Sequence, residues 1–306
     1  MKQRASANLP ASVHQRLLNR ARETRQRFND LLQHFALERF LYRLSRSEYA
    51  DRFILKGALM LAVWQVPRSR PTLDIDLLGR TNNSIEEMVA LIRAVCRQEV
   101  APDGITFDAN TVVGEQIADE AEYAGVRLRF KGTLGNAAVT LQIDIGFGDV
   151  VIPPAVVVEY PTLLDFPAPR LLGYSRESAV AEKFHVMTSL GLLTSRMKDF
   201  FDVWLLSHHF DFAGDTLARA IRATFARRNT AVARAPEILS ASFAEDVTKT
   251  TQWRAFLRRS QLTDVPQNLP EVVAHLAVFL GPVAEALSRK RPFKMKWKAP
   301  GPWSSV

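Results

Sequence analysis

Asp74 and Asp76 stand one residue apart in the stretch Thr72-Leu73-Asp74-Ile75-Asp76-Leu77. The alternation predicts a strand with Leu73, Ile75 and Leu77 on one side and both carboxylates on the other. Side chains at i and i+2 lie roughly 7 Å apart, so their oxygens can converge on a hard divalent cation. Just upstream, Phe53-Ile54-Leu55-Lys56-Gly57-Ala58-Leu59-Met60 reads as a buried strand that breaks at glycine into a short apolar helix. Such a break offers backbone N–H groups suited to phosphate. Gly57 lets a phosphate chain approach the backbone, and Lys56 or Arg70 adds positive charge there. A phosphate turn followed by a strand with a metal-type carboxylate pair predicts chemistry on a nucleoside triphosphate.

Nucleotidyl transfer displaces pyrophosphate from an α-phosphate by an incoming hydroxyl, and negative charge accumulates on the phosphoryl oxygens. Two metal ions about 3.5–4 Å apart clamp the attacking and leaving oxygens. Holding them takes about three carboxylates. Asp144 supplies the third, outward on a strand whose Val139, Leu141, Ile143 and Ile145 face inward. The expected metal set is therefore Asp74, Asp76 and Asp144 around two Mg²⁺ ions. Crowded carboxylates without metal raise one another's pKa, so metal dependence is expected rather than bare acid–base chemistry. A D-x-D pair alone also fits the hydrated outer face of a strand; the order of the motifs carries the reading.

The elements that position these residues follow from composition and periodicity. At 306 residues, 47% apolar and 24% charged, the chain is long enough for two cores and too apolar for wholesale disorder. Forty basic against 32 acidic residues favour an anionic partner, nucleic acid or nucleotide. Cys96, the only cysteine, excludes intrachain disulfides and cysteine-rich zinc sites. It lies on the apolar stripe of a helix capped by Ser84-x-x-Glu87, a core position rather than a nucleophile. No apolar segment opens the chain and no run approaches transmembrane length, so a cytoplasmic protein without a membrane partner is expected.

Residues 1–50 are expected to be helices packed on the core, one opened by Ser12-x-x-Gln15 and another over Asn29 to Leu44. Arg16, Arg20, Arg27, Arg39, Arg43 and Arg46 are expected on their solvent side. Residues 51–170 form the α/β core, with a hairpin over Val126–Phe130 and Val139–Ile145, then a proline-rich connector holding one short strand at Val156–Val158. Residues 171–288 are read as helical, and residues 289–306, with six basic residues and no acid between Arg289 and Lys298, as a flexible basic arm.

Two helical motifs sit in the later half. Lys183, in Ala181-Glu182-Lys183-Phe184, can reach toward phosphate or pair with Glu182 or Glu177. Asp199 and Asp202, three apart in Arg196-Met197-Lys198-Asp199-Phe200-Phe201-Asp202, share a helix face that either orients Lys183 or a base, or holds helix–helix salt bridges. His185, His208 and His209 lack metal-ligand spacing.

Taken in order, Lys56-Gly57-Ala58, the Asp74/Asp76 strand, Ile143-Asp144-Ile145, Ala181-Glu182-Lys183-Phe184 and the Arg196–Asp202 motif resemble the AbiEii-type nucleotidyltransferase toxins of abortive-infection and toxin–antitoxin systems, the MenT-like group included. The resemblance spans about residues 28–207. It implies an α+β fold, a DNA polymerase β-like nucleotidyltransferase domain with a mixed sheet followed by a mostly helical domain. It also implies an NTP substrate with Mg²⁺, a cognate antitoxin such as a winged-helix regulator, and a tRNA 3′ acceptor end or other RNA as target. By motif match Asp74 and Asp76 bind metal, Lys183 contacts the triphosphate, and Asp202 or Asp199 is the late acidic motif. The nucleotide-binding set is then Lys56, Gly57, Ala58, Arg70, Lys183 and Asp199; the catalytic set is Asp74, Asp76, Asp144, Lys183 and Asp202. The family's phosphate turn is commonly Gly-Ser or Gly-Gly, and this chain has Gly57-Ala58, which removes one hydroxyl donor. The rival expectations are nucleotidylation of a small molecule or protein, and a catalytically weak nucleotide- or antitoxin-binding module.

Overall fold

The computed structural model describes residues 8–67, 72–81, 84–118 and 124–305. Arg70, a candidate phosphate contact, lies outside the described residues. The chain divides into two compact units. One comprises Met1–Trp64, Thr72–Gly148 and Val156–Gly173; the other comprises Gln65–Pro71, Asp149–Ala155 and Tyr174–Val306.

The first unit is built on a seven-stranded mixed sheet. Its strands are β1 (Phe53–Lys56), β2 (Asp74–Gly79), β3 (Ile105–Ala118), β4 (Ala124–Leu134), β5 (Ala137–Phe147), β6 (Val156–Glu159) and β7 (Arg170–Gly173), in the order β3-β4-β5-β2-β1-β7-β6. β2 runs parallel to β5 and β1 parallel to β7, and the other neighbours are antiparallel. The β4–β5 hairpin turns on Gly135-Asn136, and Gly135 takes the positive φ such turns require. β3 was not expected, because a bulge between Asp108 and Val113 interrupts its alternation. There Asp108 folds back on the chain, accepting from Asn110 N–H, while its carbonyl accepts from Thr111.

Helices α1 (Leu9–Thr24) and α2 (Phe28–Arg46) precede the sheet, and α4 (Ile85–Cys96) follows β2 after the one-turn α3 (Leu59–Val63). α1 begins at Leu9 after Asn8, with proline in its first turn, not at the expected Ser12 box. Phe40 of α2 meets Phe107 and Phe130, and Ile85 and Val89 of α4 crowd against Gly114. Both helices therefore cover the face carrying Leu128, Phe130, Ile143 and Ile145, all buried. Ser84 caps α4 as expected, accepting from Glu87 N–H. Cys96 is buried and its thiol is pushed up to about 12 by burial, which fits a core residue.

Arg39 and Arg43 are not on the solvent side. Arg43 forks onto Asp103 at 2.7 and 3.0 Å, and Arg39 pairs with its neighbour Glu38 at 2.7 Å, with all four side chains nearly sealed from solvent. The connector explains why. Glu38 accepts from Leu163 N–H, Arg39 donates to Pro167 O, and Tyr160 hydrogen-bonds His34, so α2 pins residues 160–167 with polar groups that must themselves be buried.

The second unit contains α5 (Arg176–Leu190), α6 (Met197–His209), α7 (Gly214–Arg227), α8 (Ala241–Glu245), α9 (Val247–Ser260) and α10 (Leu269–Ser288). α10 is long and apolar enough to cross a membrane, which sequence reading had not recognised. Its Val272, Leu276, Phe279, Leu280 and Val283 are fully buried, which makes it the core helix of this unit. Residues 289–306 are not a loose arm in this structure. Strands β8 (Phe212–Ala213), β9 (Met295–Trp297) and β10 (Trp303–Ser305) form a small sheet. Trp297 is 1% exposed and donates to Ser207 O, while Trp303 donates to Phe279 O and stacks on its ring. Aromatic burial outweighs the repulsion of the lysines, which stay at the surface.

Glu38 generates a pH signature. Burial raises its carboxyl to about 7, against the pull of Arg39. A folded-state pKa above the unfolded one means that the stability contribution is complete below the unfolded value and is lost as pH rises through about 7. The thermal midpoint of wild type relative to Glu38→Gln should therefore fall between about pH 4.5 and 7; a flat difference across that window would show that Glu38 titrates normally.

Candidate active site

Within the first unit, register sets the chemistry. Lys56 of β1 is paired with Asp76 of β2, Asp76 with Asp144 of β5, Asp144 with Arg127 of β4, and Arg127 with Glu115 of β3. Directly paired residues share a face, so these five charges form one row across five strands, opposite the helix-covered apolar face. Its two aspartates, Asp76 and Asp144, are neighbours at about the 4.8 Å spacing of adjacent strands. Asp74 lies two residues along β2 on the same face, paired with Gln142. Ile75 and Leu77 are fully buried between them, as the alternation predicts, whereas Leu73 precedes the strand and is 56% exposed.

The Gly57 turn is part of this arrangement. Gly57 has φ +70°, and a Cβ there would overlap the Asp76 carboxyl group. Two independent constraints thus demand glycine: the left-handed backbone and the close approach of Asp76. α3 beyond it spans five residues, and the Gly57 and Ala58 carbonyls already accept from Met60 and Leu61 N–H. This single turn is a slighter dipole than the expected helix start. Ala58 is buried, 7% exposed, and counts with the core.

Asp144 is not poised as a bare third ligand. Arg127 forks onto it, Nε to Oδ1 at 2.8 Å and Nη2 to Oδ2 at 2.7 Å. These hydrogen bonds, with the charges of Asp144 and Asp74, hold the guanidinium pKa above its ordinary value despite partial burial. Arg129 bonds Gln142 at 3.1 Å and Glu115 at 2.9 Å. Among the described residues no group of three or more His, Cys, Asp or Glu is gathered to hold a metal ion. Register sets Asp74, Asp76 and Asp144 on one face of β2 and β5. The pair Asp74/Asp76 nevertheless fits Mg²⁺, which binds through one or two carboxylates with water and substrate phosphate completing its octahedron.

In the second unit Lys183, Asp199 and Asp202 come together. Lys183 Nζ lies 2.8 Å from Asp199 Oδ1 and 2.8 Å from Asp202 Oδ2, and Arg196 Nε is 2.8 Å from Asp199 Oδ2. Burial pushes the Asp199 carboxyl up, but Lys183 and Arg196 more than reverse this and hold it well below the usual carboxylate range. The side chains of Asp199 and Asp202 are only 3% and 1% exposed, against 17% for Lys183. The two acids thus orient the lysine from behind, and their burial speaks against the direct nucleotide contact expected for Asp199. Ser175 caps α5, and Tyr174 OH donates to Glu182, which leaves Lys183 facing α6. His185 is buried against Thr230 and Phe225, a structural role.

Sequence reasoning missed Arg127 as a partner of Asp144. The signal was present: counting outward from the hairpin turn places the two opposite each other.

The sequence matches the family described as the nucleotidyl transferase AbiEii toxin of type IV toxin–antitoxin systems over residues 39–275. None of the curated proteins matches it. Two solved structures do, each at 16% identity, TM-score 0.44 and 85% coverage of this chain: JHP933 from Helicobacter pylori, covered over 92% of its length, and a protein described as a presumed nucleotidyltransferase from the same organism, covered over 95%.

Two substitutions test the local geometry. Lys183→Met leaves two buried aspartates short of a cation and should cost about 3–5 kcal/mol in chemical denaturation. Gly57→Ala should cost about 1–3 kcal/mol through its left-handed backbone alone; an unchanged melting curve would mean that the turn tolerates a side chain.

Proposed function

The chain belongs to the AbiEii family of nucleotidyltransferase toxins of type IV toxin–antitoxin systems, and on that premise we propose that it transfers a nucleoside monophosphate from an NTP to RNA, at a tRNA 3′ acceptor end. The fold is the DNA polymerase β-like nucleotidyltransferase type with a mixed sheet and a mostly helical second part. Family membership also implies an antitoxin partner, for which a winged-helix regulator is our proposal, as is a cytoplasmic setting.

The observation that carries the reading is the row of paired charges, with Asp76 packed against the Gly57 turn. In the reaction a hydroxyl oxygen of the acceptor gives up its proton to water and bonds to the α-phosphorus while the bond to the bridging oxygen breaks, and pyrophosphate departs. Asp74 and Asp76 would hold Mg²⁺, which when bound offsets the charge of the phosphoryl oxygens. Lys56, directly across from Asp76, adds a cation at the phosphate end, where the Gly57 turn packs against the Asp76 carboxyl group. Lys183, oriented by Asp199 and Asp202, is the family's triphosphate contact by motif match. Arg20, Arg22, Arg25 and Arg27 are exposed, as are Lys294, Lys296 and Lys298. Both groups suit RNA phosphates, so binding should weaken steeply with salt.

Incubation with each α-labelled NTP, Mg²⁺ and total tRNA provides the test. Wild type should label tRNA, and Asp74→Asn or Asp76→Asn should lose more than the roughly 10–100-fold typical of an outer-shell change. Equal labelling by variants and wild type would overturn the assignment; label confined to protein or small molecules would replace RNA as the acceptor.

A further inference from the structure

We propose that Arg127 is a positioning residue that holds Asp144 in reserve, so that the third carboxylate joins the metal site only when the guanidinium swings off it. The inference rests on the nucleotidyltransferase reading and concerns how its site is assembled.

Asp76 and Asp144 are forced side by side by the parallel register of β2 and β5, an unfavourable pairing of like charges. Beside them in the row stand two cations, Lys56 opposite Asp76 and Arg127 opposite Asp144. The Arg127 fork engages both Asp144 oxygens, so a divalent cation approaching the carboxylate end-on meets a positive charge in its place. Each Asp144 oxygen keeps a further lone pair, so the guanidinium does not block a metal ion outright; its charge in front of the carboxylate competes with one.

Three features distinguish a latch from a permanent strut. The pair is accessible, with Arg127 29% and Asp144 21% exposed, unlike the sealed Arg43–Asp103 fork in the same unit at 8% and 2%. Arg127 also has a second place to go, because Glu115 is its cross-strand partner on the other side and is 55% exposed, at present bridging to Arg129. Asp144 would not be stranded by the move, since Gln142 Nε2 already lies 3.5 Å from its Oδ2. Opening thus exchanges one surface ion pair for another, and the net driving force comes from the charge that arrives beside Asp74 and Asp76.

The probe is Mn²⁺, followed by the electron paramagnetic resonance of the free ion, with the full-length protein in the presence of a non-hydrolysable NTP analogue. Arg127→Gln should tighten Mn²⁺ binding by roughly fivefold or more, or add a bound ion. Arg127→Lys, which keeps the charge and loses the fork, should move in the same direction and carries the test if the glutamine variant does not fold. The gain should vanish in Arg127→Gln/Asp144→Asn. Binding that is unchanged or weakened in the folded Arg127 variants, with Asp74→Asn still reducing it, overturns the latch alone. Binding indifferent to Asp74→Asn and Asp76→Asn overturns the metal-site reading and the latch with it.

Discussion

The parallel pairing of β2 with β5 is the constraint from which the first unit follows. It sets Asp76 against Asp144, and a slip of β2 by one residue would turn Asp74 and Asp76 into the apolar layer. Ile75 and Leu77 on one strand and Ile143 and Ile145 on the other are all fully buried, and their burial holds the register. At about 25 cal/mol per Å² of apolar surface, each such side chain is worth on the order of 1.5–3 kcal/mol, more than the repulsion of a half-exposed carboxylate pair. The hydrophobic layer therefore stabilises an arrangement that electrostatics alone would reject. Arg127, forked onto Asp144, offsets part of that repulsion.

The second unit solves a related problem with the two acids buried. Lys183, Arg196, Asp199 and Asp202 balance two positive charges against two negative ones beneath α5 and α6. A neutral packed core would be as stable or more so, which makes the retained ions a device for fixing where the lysine stands. Lysine is otherwise the most mobile of side chains, and two acids three residues apart on a facing helix restrict its ammonium to one position. The C-terminal strands add to the rigidity of this unit, because Trp297 ties the end of α6, through Ser207, to α10 through Phe279.

The chemistry was more legible in the sequence than its electrostatic partners. Strand alternation around Asp74 and Asp76, the glycine break at Gly57 and the Ser84 and Ser175 caps are local signals, and local signals survive in a single sequence. What escaped depends on the third dimension. Arg39 and Arg43 looked like solvent-facing charges, and only the fold of the connector reveals that α2 must present polar groups to residues 160–167. β3 was hidden by its bulge, and the tail was hidden by six positive charges that masked two anchoring tryptophans. Asp144 was placed on the correct strand face, yet its engagement by Arg127 required the hairpin register as well as the strand.

The Gly57-Ala58 turn looked like the weakest point of the site, because it lacks the hydroxyl common in the family. The geometry shifts the weight elsewhere. Ala58 is buried with the core, so a serine there would have to turn away from that packing to reach a ligand. Gly57 is fixed by Asp76, whose carboxyl group occupies the space that any side chain at 57 would need. Turn and carboxylate are thus one device, in which the absence of a side chain at one residue creates the position of the charge at the other. A larger residue at 57 would displace Asp76 from the row and separate it from both Lys56 and Asp144.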